Sequence, residues 1–172
     1  MISSPKQPGI EGRWDQIIDR TEHPLPLPGS FISENEGTLP AFFSYIGRTW
    51  IKNSIVPCRI YTDFSTCATA WDLKEERHEL YEILIGNYVW KWTNSSTPIP
   101  DNALIGGYRE IPGSNNREIL YVGRAIHDAF EANNHKPNKL LPGHVSSDTR
   151  ELIHIAWNNS QRKSIYQILV KE

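Results

Sequence analysis

Two short stretches of the chain, Tyr45-Ile46-Gly47-Arg48 and Tyr121-Val122-Gly123-Arg124, share the order aromatic, aliphatic, glycine, arginine. The likeness extends to both sides in the same order. The other matched pairs are Trp14 with Trp92, Gly29-Ser30-Phe31 with Gly106-Gly107-Tyr108, Pro57 with Pro142, Trp71 with Trp157, and Tyr81-Glu82-Ile83-Leu84 with Tyr166-Gln167-Ile168-Leu169. Self-similarity in a fixed order predicts that one structural unit occurs twice.

The repeat predicts a division of the chain into three parts. These are a loose N-terminal arm over residues 1–12, a first repeat over 13–87 and a second repeat over 88–172. The second copy is longer between its Gly-Arg and its Pro-Gly, and its extra residues fall within 129–141. That polar segment is typical of an extended hairpin loop.

Short alternating segments predict β-strands. Tyr88-Val89-Trp90-Lys91-Trp92 places three aromatic rings on one face, and the segments 119–122, 152–157 and 165–170 are also typical of strands. Segment 73–84 is the one rival for a helix, but its match to the Asn- and Ser-rich 157–169 favours a loop followed by a strand. With 11 Gly and 12 Pro dividing the chain, we predict an all-β protein of two β-sheet lobes about a pseudo-twofold axis.

Residues that are identical in both copies are interpreted as scaffold. Arg48 and Arg124 each follow a glycine, and we expect them to bridge a carboxylate or turn carbonyls rather than a ligand. Trp50 and Trp90 have no counterpart in the other copy, which makes them candidates for an exposed platform. Trp90 shares a strand face with Trp92, which favours the core for Trp90.

Charge and hydropathy exclude two classes of partner. The 172 residues carry 18 Lys plus Arg against 20 Asp plus Glu, a net charge of -2, so the basic excess of a nucleic-acid-binding protein is missing. Apolar runs are only a few residues long, far below the ~20 needed to span a bilayer. The first twelve residues lack the apolar segment of a secretory signal, so we expect a cytoplasmic protein, with non-classical release compatible with the sequence.

The two cysteines, Cys58 and Cys67, are too few for a disulfide framework. They flank a polar stretch and could face each other across a hairpin. We favour buried thiols in a reducing compartment, with a disulfide and a reactive thiol as the alternatives.

Motifs of catalysis and metal binding are missing from the sequence. It has no Gly-x-Ser-x-Gly, no phosphate-binding glycine loop and no His-Glu-x-x-His. The second copy holds His127, His135, His144 and His154, but their spacings fit no zinc pattern. We therefore expect a protein that is not an enzyme and that needs no metal or cofactor.

The second copy carries an ordered set of motifs: Trp92, Pro100-Asp101-Asn102-Ala103, Gly106-Gly107-Tyr108, Leu120-Tyr121-Val122-Gly123-Arg124-Ala125, Leu141-Pro142-Gly143 and Tyr166-Gln167-Ile168-Leu169. This set resembles the DM-nine repeat. The first copy is similar at a greater distance, through Gly29, Tyr45-Ile46-Gly47-Arg48, Pro57 and Tyr81-Glu82-Ile83-Leu84. The resemblance implies a tandem-repeat β protein with a lectin-like function, recognition of mannose-type sugars in innate defence. Some members carry the repeat beside pore-forming modules.

In the sugar-binding members of that family an acidic residue follows Gly-Gly-Tyr and a basic residue follows Pro-Gly. A carboxylate there accepts from sugar hydroxyls while an ammonium group donates. This sequence has Arg109 and His144 at those places in the second copy, and Ile32 and Arg59 in the first. Ile32 cannot accept a hydrogen bond, so the first-copy site is expected to be inactive in this chemistry.

The resemblance therefore leaves Tyr108, Arg109, Glu110 and His144 as candidate ligand-binding residues, with Arg59 as the counterpart in the first copy. Arg109 offers a planar donor fork, and Glu110 would supply the acceptor if a bulge turned it inward. In a regular strand these two side chains face opposite sides. If His144 contributes, binding should change near pH 6.5, where an unperturbed histidine titrates.

The motifs and the family resemblance leave two candidate functions. The first is non-catalytic binding of glycans or another small polyol ligand. The second is an interaction module that kept the scaffold and lost the sugar site, pairing with itself as a homodimer or with a pore-forming or defence protein. Replacement of both charged positions favours the second function.

Overall fold

The computed structural model describes residues 12–17, 32–35, 43–60, 66–86, 88–127, 139–156 and 159–171. These residues form strands and turns and no helix, so the all-β prediction is confirmed. The strands are β1 (Arg13–Ile17), β2 (Ile32–Asn35), β3 (Phe43–Ile51), β4 (Ser54–Ile60), β5 (Cys67–Trp71), β6 (Lys74–His78), β7 (Tyr81–Ile85), β8 (Val89–Asn94), β9 (Ile105–Glu110), β10 (Arg117–His127), β11 (Lys139–Ser146), β12 (Leu152–Ala156), β13 (Asn159–Lys163) and β14 (Ile165–Val170).

All of these strands belong to one antiparallel sheet, in the order β1-β7-β3-β4-β5-β6-β13-β12-β11-β10-β14-β8. In addition, β2 pairs with β3, and β9 pairs with both β10 and β4. We call β1–β7 the first half and β8–β14 the second half. The sheet runs outward from the β6–β13 junction in the order β6-β5-β4-β3-β7-β1 in the first half and β13-β12-β11-β10-β14-β8 in the second. Each strand of one half thus has a counterpart seven strands away along the chain. The division at residues 87 and 88 into two repeats, and the two-lobe arrangement, stay predictions.

Segment 73–84 does not contain the predicted loop followed by a strand. It holds β6 and β7, and the loop prediction for the matched Asn-rich segment is equally wrong, because β13 lies there. Asp72 and Leu73 adopt positive φ angles of 48° and 66°, which is the conformation of a two-residue hairpin turn between β5 and β6. Backbone pairing to the preceding strand forms β6 and β13, so their polar side chains gave no apolar pattern to detect.

The two repeated arginines have the scaffold role that was predicted. Arg48 Nε donates to Glu82 Oε1 at 2.9 Å, and Arg124 Nε donates to Gln167 Oε1 at 2.5 Å. Both bonds join the long central strand of a half to its last strand, β3 to β7 and β10 to β14. A charge-assisted bond and a neutral-acceptor bond thus occupy the same place in the two halves.

The match of Trp14 with Trp92 is wrong, because Trp14 corresponds to Trp90. The Arg48 guanidinium lies 4.7 Å from the centre of the Trp14 ring, and the Arg124 guanidinium lies 4.3 Å from that of Trp90. Trp90 is half-buried, as predicted, whereas Trp92 is 51% exposed. The alternating run alone could not distinguish the two tryptophans, because both lie on the same strand face.

Each half has its own apolar core, and two further clusters lie between the halves: a smaller one of Ile51, Val56 and Leu120, and a larger one that we call the joining cluster. The first-half core contains Tyr45, Cys58, Ile60, Cys67, Tyr81, Ile83 and Ile85. The second-half core contains Ala103, Ala125, Val145, Leu152, Tyr166, Ile168 and Val170. The joining cluster brings Ile46 and Leu84 of the first half against Leu104, Val122 and Leu169 of the second. Burial of each large side chain stabilises the fold by about 1.5–3 kcal/mol.

Gly107 lies where backbones of the two halves cross. A Cβ on this residue would overlap the carbonyl oxygen of Ile55 in β4, and Ile55 pairs with Tyr108 in β9. The Gly-Gly-Tyr motif therefore permits the close approach of β9 to β4, which only a residue without a side chain allows.

Cys58 and Cys67 form a disulfide, so the prediction of buried thiols is wrong. The β4–β5 hairpin brings their Cα atoms to 5.6 Å, within the range for a bridge, and both residues are buried. Disulfides persist in oxidising surroundings, so the bridge removes the argument for a reducing compartment.

Several predictions lie outside the described residues. These are the N-terminal arm up to residue 11, most of the 129–141 insertion, and the roles of Phe31 and Trp157. For Ile32 only the backbone is described, in β2, and its register shows that the expected match of Ile32 with Arg109 is wrong. Ile32 pairs with Tyr45 as Ile105 pairs with Tyr121, so Ile32 corresponds to Ile105, and Asn35 takes the place of Tyr108. Within the described ranges no helix is long and apolar enough to cross a membrane.

Candidate functional site

The hairpin of β9 and β10 sets the faces of the candidate charged residues. Arg109 pairs with Glu118 and Glu110 pairs with Arg117, and the pairing is regular there because its irregularity falls further along, between Leu120 and Tyr121. Paired residues of antiparallel strands share a face and consecutive residues alternate. Arg109 and Glu118 therefore lie on one face of the hairpin, and Glu110 and Arg117 lie on the other.

On the first face, Arg109 forms an ion pair with a carboxylate that the sequence reasoning missed. Its Nε lies 3.2 Å from Glu118 Oε2, and its side chain is 44% exposed whereas that of Glu118 is 9% exposed. Ser146 Oγ donates to the other carboxylate oxygen, Oε1. Both oxygens of Glu118 are thus engaged inside the protein.

The first half contributes an aromatic ring to this place. Trp71, the last residue of β5, lies with its ring centre 5.9 Å from the Arg109 guanidinium carbon. At this distance the ring quadrupole attracts the cation. Arg109 is therefore held from two sides, by a carboxylate of the second half and by an indole of the first.

His144 lies buried behind this pair, in β11. Its Nδ1 is 3.5 Å from Thr69 Oγ1, and the Thr69 hydroxyl donates to the carbonyl oxygen of Pro57 at 3.0 Å. Because that donation uses the single hydroxyl proton of Thr69, the arrangement assigns the neutral Nδ1–H tautomer to His144. We name the six residues Arg109, Glu118, Ser146, His144, Thr69 and Trp71 the Arg109 cluster.

Burial and, as the smaller cause, the positive charge of Arg109 together lower the pKa of His144 from 6.5 to about 4. His144 is 6% exposed, so an imidazolium there would lose its hydration beside another cation. If His144 contributes to binding, the change with pH is therefore expected near pH 4 rather than near pH 6.5.

The other two candidates of the second half lie on the opposite face of β9. Tyr108 is 8% exposed and its ring centre is 4.2 Å from the Arg117 guanidinium carbon. Glu110 Oε1 is 3.6 Å from Arg117 Nη2. No bulge turns Glu110 toward Arg109, so the structure brings together Arg109 and His144 but not Glu110 or Tyr108.

Arg59 lies in a cleft between β4 and β5 of the first half and β11 and β12 of the second. The cleft measures about 280 Å³ with its open space, and Pro57, Arg59, Thr69 and His154 are among its walls. Its enclosed part has room for about one water molecule. Thr69 connects this cleft to the Arg109 cluster, but the enclosed space does not admit a sugar ring.

A sequence signal for Glu118 does exist. Arg109-Glu110 and Arg117-Glu118 stand on either side of a segment with Pro112 and Gly113, which is typical of a turn. An antiparallel hairpin across that turn pairs each arginine with a glutamate. Trp71 and Thr69 gave no comparable signal, because they reach the site through the packing of one half against the other.

Comparison with families and with known proteins gives two findings. No curated protein matches the chain. The family model of the DM9 (DM-nine) repeat matches residues 43–131. The match runs from β3 through the Arg109 hairpin, across the predicted boundary at residues 87 and 88, and covers more than half of the chain. The chain therefore belongs to the DM9 repeat family.

Proposed function

We propose that this protein binds carbohydrate without catalysis, in a lectin-like manner, at the Arg109 cluster. One observation carries the proposal: Arg109, which follows Gly-Gly-Tyr, and His144, which follows Pro-Gly, lie within the same cluster. In the sugar-binding members that this chain resembles, the residues at these two positions bind the sugar. Membership of the DM9 repeat family supports the same function.

The residues of the cluster have different roles in this proposal. Arg109 is exposed and contacts the ligand, whereas His144 is buried and holds Thr69 across the junction of the halves. Tyr108 supports β9 from the opposite face, where Glu110 is paired with Arg117. Arg59 lines the neighbouring cleft and would contact a ligand only from its open side.

A finer version of the proposal follows from the resemblance: the ligand is a mannose-type glycan and the role is in innate defence. Neutral sugars are recognised by donors and acceptors together. The carboxylate nearest to Arg109 is already bonded to Arg109 and Ser146, which weakens the case for mannose itself.

A glycan array and a thermal-shift screen test the proposal. We expect the melting temperature to rise with at least one saccharide, and Arg109→Ala to abolish that rise. Arg117→Ala is the matched control, because it removes the paired arginine of the opposite hairpin face. The proposal fails if no saccharide binds, or if both variants bind as well as the wild type.

A second candidate function is an interaction module that pairs with itself or with a pore-forming or defence partner. The observation that favours it is β8, which among the described strands pairs only with β14 and exposes Val89 and Trp92. An unpaired strand edge with apolar side chains is a template for another strand. Light scattering should then give a dimer that Trp92→Lys dissociates, and a monomeric wild type would exclude self-pairing.

A further inference from the structure

The Arg109 cluster presents hydrogen-bond donors to solvent and withholds its acceptors. The two oxygens of Glu118 are engaged by Arg109 and Ser146. The neighbouring carboxylate, Glu110, lies on the opposite face of β9 with Arg117. Within the described ranges, no side-chain carboxylate on this face of the hairpin is left to accept from a sugar hydroxyl.

The Arg109 guanidinium is partly exposed, with its side chain 44% accessible, and has two neighbours inside the protein. Its Nε lies 3.2 Å from Glu118 Oε2 and its central carbon lies 5.9 Å from the centre of the Trp71 ring, so both neighbours restrict its position. In the part of the chain that the structure describes, no further acceptor contacts it. Because Nε is the atom paired with Glu118, Nη1 and Nη2 are left to donate to a ligand, and two parallel N–H donors are the geometry that binds a carboxylate through both of its oxygens.

Apart from the Glu118 carboxylate, which is bonded to Arg109 and Ser146, the cluster adds no further charge beside the Arg109 guanidinium. His144 is buried and hydrogen-bonded to Thr69, and Thr69 is bonded to the carbonyl of Pro57. The exposed chemistry at this point is thus a single preorganised guanidinium edge.

We propose that the ligand of the Arg109 cluster is an acidic saccharide, a sugar that carries a carboxylate, bound through both carboxylate oxygens to Nη1 and Nη2 of Arg109. This inference rests on the proposed carbohydrate-binding function and names the ligand class. Glu118 and Trp71 are positioning residues, since each acts by orienting Arg109.

The test compares four probes by calorimetry or ligand-observed NMR: D-glucuronic acid, D-glucose, D-mannose and D-glucose 6-sulfate. We expect D-glucuronic acid to bind at least about tenfold more tightly than the neutral sugars, the effect of one charge-assisted contact. Its affinity should exceed that of the sulfate ester, because a planar carboxylate matches the two parallel donors better. The affinity should also fall with added salt.

Arg109→Gln should abolish the preference for D-glucuronic acid, and Arg117→Gln, the matched change on the opposite face, should retain it. Glu118→Gln should weaken binding of the acid and leave binding of neutral sugars unchanged, which a merely structural role would not do. Equal loss in Arg109→Gln and Arg117→Gln overturns the inference.

The outcomes also distinguish this inference from the proposed function. Equal affinity for D-glucuronic acid and D-glucose, with both lowered by Arg109→Gln, overturns the acidic ligand and leaves carbohydrate binding at the cluster in place. Equal affinity for D-glucose 6-sulfate and D-glucuronic acid overturns the inference that the cluster prefers a carboxylate to other anions. Absence of binding to every probe, neutral and acidic, overturns the proposed function together with the inference.

Discussion

The two halves have cores at corresponding strands of the sheet, but the residues that form these cores differ in chemistry. In the first half Cys67 pairs with Ile60, and in the second Leu152 pairs with Val145 at the corresponding position of β12 and β11. At this position the first half has a disulfide between Cys67 and Cys58. The second half has the side chain of Leu152, which packs into its apolar core.

The same contrast appears in the bonds that tie each central strand to its last strand. Arg48 bonds to a carboxylate in the first half, and Arg124 bonds to an amide in the second. A charged acceptor and a neutral one, or a disulfide and a leucine, thus occur at equivalent strand pairings. We infer that the backbone frame, with its glycines at close approaches, imposes a stricter requirement than the side chains around it.

The largest effect is expected where the two halves touch through their backbones. Gly107→Ala places a Cβ against the carbonyl of Ile55 and should lower the free energy of unfolding by about 3 kcal/mol or more. Gly113→Ala is the control, since a Cβ there meets nothing within 4 Å and only the φ of 76° opposes it, at about 1 kcal/mol. Urea unfolding compares the two, and equal losses would contradict a tight crossing at Gly107.

The disulfide is the next largest difference between the halves. Cys58→Ala with Cys67→Ala should lower the free energy of unfolding by about 3 kcal/mol, because the unfolded chain regains the entropy of a short loop. Cys58→Ala with Cys67→Leu, which gives the first half the leucine of the second, should recover about 1 kcal/mol of it. Reducing agent should destabilise the wild type alone; a wild type insensitive to reduction would show that the bridge contributes nothing.

Acid should weaken the junction between the halves through His144. Burial holds the folded-state pKa of His144 at about 4, below the unfolded 6.5, so the unfolded chain binds the proton first and stability is lost as the pH falls. Between pH 7.5 and pH 5 this residue should cost about 2 kcal/mol. His144→Gln should remove that part of the pH dependence, measured by urea unfolding at both pH values.

The control for this experiment is His78→Gln, which changes a half-buried histidine paired with Glu76. The His78→Gln variant should lose more stability between pH 7.5 and pH 5 than His144→Gln does, as the wild type should. If His144→Gln and the wild type lose stability in parallel as the pH falls, His144 is not buried in its neutral form.

The smallest effect tests whether the arginine contacts are interchangeable. Glu82→Gln gives the first half the acceptor of the second, and should lower the free energy of unfolding by about 1 kcal/mol, because Arg48 and Glu82 are nearly buried at 11% and 15% exposure. Stability of the variant should also depend less on salt. A loss above about 3 kcal/mol would mean that the charge itself is required at this place.

The fold was predictable to the extent that it rests on apolar periodicity and on repetition. The all-β class follows from short alternating segments, and the roles of Arg48 and Arg124 follow from their recurrence beside glycine. β6 and β13 were missed because backbone pairing forms them while their side chains are polar. The disulfide was kept only as an alternative, because the count of two cysteines favoured free thiols and the strand register that brings Cys58 and Cys67 together is not fixed by composition.

The candidate site was predictable only in its local part. The motif positions identified Arg109 and His144, and strand alternation already separated Arg109 from Glu110. The role of Glu118 could be predicted only by recognising that Arg109-Glu110 and Arg117-Glu118 face each other in opposite order across a hairpin. Trp71 and Thr69 belong to the other half of the chain, so their presence depends on tertiary packing that no local pattern records.

The crossing of β9 over β4 has a consequence for the order in which the protein is made. Synthesis begins at the N-terminus, so β4 leaves the ribosome before β9 exists. Until β9 emerges, the backbone of β4 at Ile55 lacks the pairing that Tyr108 later provides. The nascent first half therefore exposes an incomplete strand edge, and the arrival of Gly106-Gly107-Tyr108 is the step that covers it.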